Sequence, residues 1–99
     1  MRDATAAFLR HLERERNASP HTIRAYGEDL RQFTDYLEGV LGRPPSPEAV
    51  DHVLSRGFLA ELHRRGLKKT SSARKLAGLR TFFRYLCREG RLERNPARV

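Results

Sequence analysis

Apolar residues recur at helical spacing along most of the chain, interrupted at three places by turn-forming residues. The clearest run is Ile23, Tyr26, Leu30, Phe33, Leu37 and Leu41. Its steps of three and four put every side chain on one face of a helix. Ser19-Pro20 marks its start, a capping serine before a proline at the first helical position, and Gly42 marks its end. Before it, Phe8 and Leu12, with Ala4 and Leu9 nearby, predict a weaker helix over Asp3–Arg16, with Asp3 as N-cap. Asn17-Ala18-Ser19 separates the two. Pro44, Pro45 and Pro47 stiffen the following loop and exclude helix and central strand, with a short turn expected over Glu48–Val50. Asp51 then caps a third helix reaching about Arg65, with Leu54, Phe58 and Leu62 spaced by four and Gly66 as its left-handed terminator. Gly57 within it costs about 1 kcal/mol relative to alanine.

The fourth helix is expected over Lys69–Arg88, with Gly90 as its stop. Leu76, Leu79, Phe83, Leu86, Ser72 and Cys87 share roughly 100° of its circumference. Phe82 lies just outside that arc. Arg74, Thr81, Tyr85, Gly78, Ser71 and Arg88 lie opposite. No segment alternates with the period of a strand, so the chain reads as all-α with short connectors.

Charge changes the picture of this last helix. The chain carries a net +8, yet residues 1–66 hold ten basic and ten acidic side chains. Residues 67–99 hold ten basic residues against Glu89 and Glu93 alone. From Lys68 to Arg88 there are seven basic residues and no acidic one. Solubility does not require acids to be excluded from a whole helix, and the commonest large partner of a one-sign basic face is nucleic acid.

Ninety-nine residues suffice for one domain with a modest core. No apolar run approaches the length of a membrane span, and the N-terminal residues lack a signal-peptide core. The single cysteine, Cys87, excludes an internal disulfide and reads as a small buried hydrophobe, consistent with a reducing cytoplasmic or nucleoid setting. His11, His21, His52 and His63 show no metal-ligand spacing. There is no phosphate-cradling glycine loop and no nucleophile motif, so neither metal, cofactor nor catalytic residue is expected within the chain.

Binding has better support than catalysis. A helix laid toward a groove needs small residues for close approach and Lys or Arg for phosphates and guanine edges. The fourth helix offers Ser71, Gly78 and Thr81 among Arg74, Lys75, Arg84 and Arg88. Lys68 and Lys69 add charge beside the backbone N–H groups at its start. Ser19, His21, Thr22 and Arg24, at the start of the second helix, form a second candidate patch, where plain capping explains the residues equally well. Arg80 falls beside the apolar stripe and Asp29 flanks the apolar face of the second helix. The two are expected to pair, making Arg80 structural first.

These segments together resemble a known family. Ser19-Pro20-His21-Thr22 through Tyr26, Asp29-Leu30 and Phe33 is similar to the S-x-x-T-x-x-x-Y-x-x-D-L-x-x-F segment of the N-terminal core-binding domain of Xer-type tyrosine recombinases and phage integrases. Phe58-Leu59-Ala60-Glu61-Leu62 with Gly66-Leu67 resembles its next helix. Ser71 through Leu86 resembles S-x-A-R-x-L-S-A-L-R-x-F-F-x-x-L, and Glu89-Gly90 with Asn95-Pro96-Ala97 resembles the exit of that domain. The resemblance implies a SAM-like orthogonal bundle of four helices, five with the short turn, arranged as two crossed hairpins. Residues 1–94 would form a core-binding domain, with 95–99 beginning a linker to a catalytic domain that is absent here. It implies half of a clamp on double-stranded DNA, with the second and fourth helices toward the major groove, and contacts with other recombinase protomers on DNA. The isolated domain would be a cytoplasmic, nucleoid-associated, non-enzymatic monomer. Chromosome-dimer resolvases and phage or transposon integrases share these motifs alike. One departure stands out: the family often has serine where Lys68 stands, so the fourth helix is expected to fray or to start one residue off.

Two other classes compete. A protein–protein interaction module would use Phe82 or Tyr85 as anchors. A stand-alone DNA-binding regulator would need no further domain.

Overall fold

The computed structural model describes residues 1–98. Four α-helices follow in order: α1 (Arg2–Arg14), α2 (Pro20–Leu41), α3 (His52–Arg64) and α4 (Lys69–Arg88), with a short 3-10 turn at Pro47–Ala49 before α3. Among the described residues there is no strand. The chain divides into two compact units, Met1–Pro45 and Ser46–Val99, each built on one helical pair.

In the first unit α1 contributes Ala4, Phe8 and Leu12 and α2 contributes Leu30, Phe33 and Leu37 as buried side chains. Each such burial is worth about 1.5–3 kcal/mol for the larger residues. Phe8 meets Tyr26 edge-on, with ring centroids 5.5 Å apart and planes at 85°. That geometry sets a positive ring edge against a negative ring face. The N-terminal boundary of α1 differs from the sequence expectation. The helix begins at Arg2, with Met1 in the cap position and no side-chain cap bond, and Asp3 lies in the first turn instead of capping it. There the Asp3 carboxylate still complements the helix dipole. The helix also stops at Arg14, not Arg16. Asn17 takes φ 49°, and the Ala18 N–H closes back onto Leu12 O at 3.0 Å.

The start of α2 is as the sequence indicates. Ser19 Oγ accepts from the Thr22 N–H at 3.1 Å, Pro20 occupies the first turn, and Gly42 ends the helix at φ 73°. Replacing Ser19 with alanine leaves that N–H unpaired and is expected to lower the unfolding free energy by about 1 kcal/mol, measured by denaturant unfolding. An unchanged midpoint would show that the cap is energetically idle.

In the second unit Asp51 caps α3 through the Leu54 N–H at 2.9 Å, and Gly66 follows the helix at φ 87°. Phe58 and Leu62 of α3, and Leu79, Phe82, Phe83 and Leu86 of α4, are buried with Val50 and Ala97. Lys68 occupies the cap position of α4 with extended backbone (φ −66°, ψ 150°) and makes no side-chain cap bond, yet the helix still begins at Lys69.

The buried side of α4 is centred differently from the sequence expectation. Ser72, Lys75, Gly78, Leu79, Phe82, Phe83 and Leu86 are buried, whereas Leu76 and Cys87 are only half-buried. Phe82 is fully buried and packs on Phe83, centroids 5.0 Å apart. Gly78 therefore belongs to the packed side and not to a groove-facing one.

The 3-10 turn is pinned to the segment after α4, where Arg91 Nε donates to Glu48 Oε2 at 2.9 Å. That bond, then Glu48's own backbone bond, holds the Glu48 carboxyl below its ordinary 4.5. A carboxylate with a depressed folded-state value contributes its stability above the unfolded value and loses it as pH falls through the lower one. In Arg91→Ala the Glu48 titration should move up toward 4.5, as read by carboxyl NMR. No movement would mean that the pair does not persist in solution.

Candidate nucleic-acid interface

The charge asymmetry follows the division into units. Met1–Pro45 carries seven basic and seven acidic residues, and residues 46–99 carry thirteen basic against five acidic. Two of those acids are engaged away from α4: Glu61 with Arg64 at 2.7 Å and Arg65 at 2.8 Å, and Glu48 with Arg91. The hydrogen bonds from Arg64 and then Arg65 hold Glu61 below the ordinary carboxylate value.

On α4 the positions opposite the buried stripe are exposed and basic or small. Lys69, Thr70, Ala73, Arg74, Ala77, Arg80, Arg84 and Arg88 are all exposed. Arg80, Arg84 and Arg88 follow one another at four-residue steps, so they climb the same side of the helix about 6 Å apart. Ala73 and Ala77 leave that side low enough for a close backbone approach. Thr81 is half-buried beside them, and its hydroxyl donates to Ala77 O at 3.0 Å, within its own helix. The small residues of this face are thus Ala73 and Ala77, in place of the Gly78 that the sequence suggests.

Of the residues singled out on this helix, Lys68, Lys69, Arg74, Arg84 and Arg88 are exposed and Ser71 is half-buried. Lys75 is only 8% exposed, on the packed side of the helix, which sets it apart from the others. Because Lys68 supplies no cap bond, the first-turn N–H groups of α4 have no partner on their capping side chain. A helix start of that kind, beside two lysines, favours an anion.

In the other unit, Ser19, His21 and Arg24 are exposed and Thr22 is half-buried at the start of α2. Ser19 Oγ also donates to Thr22 Oγ1 at 3.0 Å, so both hydroxyls serve the cap. Asp29 is buried on α2. Arg80, exposed overall, sends its Nε to Ala97 O at 3.1 Å, a tie within its own unit. Of the two aromatic anchors considered for a protein partner, Phe82 is fully buried and Tyr85 half-buried. Among the described residues no group of His, Cys, Asp and Glu is arranged to hold a metal ion, and no helix is long and apolar enough to cross a membrane.

Residues 5–90 match the family model described as phage integrase, N-terminal SAM-like domain. The chain is similar to Tyrosine recombinase XerC of Pelobacter propionicus, 48% identical over 93 residues, covering 94% of this chain and 30% of that protein. It is 42% identical over 92 residues to Tyrosine recombinase XerC of Thermodesulfovibrio yellowstonii, covering 93% of this chain and 29% of that one. With Tyrosine recombinase XerC of Syntrophus aciditrophicus it shares 43% identity over 94 residues, covering 90% and 30%. The chain thus spans about 30% of the length of the curated relatives it matches. No solved structure matches it.

Proposed function

The chain belongs to the phage integrase N-terminal SAM-like domain family, and from that premise we propose that it is the DNA-gripping module of a site-specific tyrosine recombinase. The observation that carries the reading is the exposed, acid-free side of α4, where arginines flank a floor of Ala73 and Ala77. Arginine and lysine there meet backbone phosphates, which positions the duplex, and the low floor admits base edges for readout. Lys68 and Lys69 extend the phosphate contacts past the helix start. The exposed Ser19, His21 and Arg24 patch on the other unit contributes in the same way. Strand cleavage and joining belong, on this reading, to the part of a parent recombinase that lies outside the matched third. This chain supplies grip and placement and no reacting group. The work takes place on duplex DNA in the cytoplasm, beside further protomers on the same site.

A competing role as a protein-interaction module loses one of its two anchors with the burial of Phe82. Titrating a labelled duplex with the domain at two salt concentrations separates the readings. A grip built on phosphates weakens on the order of a hundredfold between about 50 mM and about 200 mM salt. Absent or salt-insensitive binding would reject the DNA reading.

A further inference from the structure

Past α4 the chain folds back on the helix it has just left. Asn95 Nδ2 donates to Arg80 O at 3.0 Å, and Asn95 Oδ1 accepts from the Ala97 N–H at 3.0 Å. Arg80 Nε closes the clasp on Ala97 O at 3.1 Å, and the Ala97 side chain is fully buried. Three hydrogen bonds thus fix a non-helical segment against the C-terminal half of α4. The clasp shapes an open cavity of about 830 Å³. Arg80 and Arg84 line it from the helix, Arg94 and Arg98 from the returning segment, with Glu93 as its acid and Cys87 in its wall.

Among the described residues that line the cavity, four guanidinium groups stand against one carboxylate. Gathered around one space, like charges repel one another, and an anion in their midst turns that repulsion into attraction. Guanidinium groups present paired N–H donors that match the oxygens of a phosphate. The cavity also continues the Arg80–Arg84–Arg88 ladder of the exposed face.

We propose that this cavity is a seat for a backbone phosphate of duplex DNA, bridging α4 to the 93–98 segment. The inference rests on the DNA-binding reading but adds residues outside the helix which that reading uses, Arg94 and Arg98. A phosphate held from both sides ties the returning segment to α4, so DNA binding and the docking of residues 95–98 stabilise each other by the same coupling free energy.

Cys87, the single cysteine of the chain, is a built-in reporter in the cavity wall. The test follows its alkylation by iodoacetamide, a neutral reagent, with and without saturating duplex. It is run on the wild type, on Arg94→Ala/Arg98→Ala, and on Arg10→Ala/Arg56→Ala, which removes the same charge at exposed sites elsewhere. Duplex should slow wild-type alkylation by at least about fivefold, as occupancy of the seat shields the thiol. Arg94→Ala/Arg98→Ala should bind about tenfold more weakly, flatten the salt slope by about one to two, and lose the shielding. The charge-matched control should keep the shielding and most of the affinity. Equal weakening in both double variants, or unshielded Cys87 at saturation, overturns the seat while the DNA reading stands. No duplex binding at all overturns both. Shielding by poly-glutamate but not by duplex overturns the phosphate seat in favour of an acidic protein partner.

Discussion

Reversing Arg84 and Arg88 together to glutamate is expected to weaken duplex binding on the order of a hundredfold at low salt and to flatten the salt slope by about two. Both side chains are exposed on α4, on the side away from Leu79, Phe82 and Leu86. Their loss removes two phosphate contacts, and the new carboxylates repel the backbone they replace. Alanine at the same positions removes the contacts without adding repulsion, so its effect is smaller, about tenfold. Neither change reaches the core, so circular dichroism should show a folded helical domain with its melting temperature little changed. Fluorescence anisotropy of a labelled duplex measures the effect. Unaltered affinity in the glutamate variant would remove α4 from the interface.

Phe82→Ala is expected to destabilise the domain by about 3–5 kcal/mol, as much as Phe83→Ala, because both rings are fully buried and each leaves a cavity when truncated. Against a total stability of about 5–15 kcal/mol this is a large fraction. At about 4–8 °C per kcal/mol the melting temperature falls by well over 10 °C. Thermal unfolding of the two variants side by side is the measurement. A loss below about 1 kcal/mol for Phe82, with the full loss for Phe83, would return Phe82 to the surface and restore it as an anchor for a protein partner.

That comparison also marks where the sequence stops being legible. The helix boundaries that rest on local chemistry could be read: Ser19-Pro20, Asp51, Gly42 and Gly66 each do in the structure what their side chains or backbone freedom favour. Asp3 does not cap α1 because an N-cap needs an extended backbone at its own position, and the chain is already helical at Arg2. The packed side of α4 departs from the sequence expectation for a different reason. Ser72, Lys75 and Gly78 lie on it, and none carries an apolar signature. The apolar pattern therefore runs through Leu76 and Cys87, which flank the packed side, and leaves Phe82 outside. A lysine buried on the packed side looks like any surface lysine in sequence. The basic, acid-free character of α4 needed no coordinates, since it is a property of composition. The arginine-lined cavity did need them. Asn95 and Arg80 are fifteen residues apart, and only the folded chain shows that one clasps the backbone of the other.

On the proposed function, the exposed side of α4 is the face laid on DNA. Backbone NMR of the domain during titration with a duplex tests it most directly. The expected result is that the amides of Ala73, Ala77, Thr81, Arg84 and Arg88 shift most, and that raising the salt reverses the shifts. Shifts confined to α1 or α3, with those α4 amides unmoved at saturation, would contradict it.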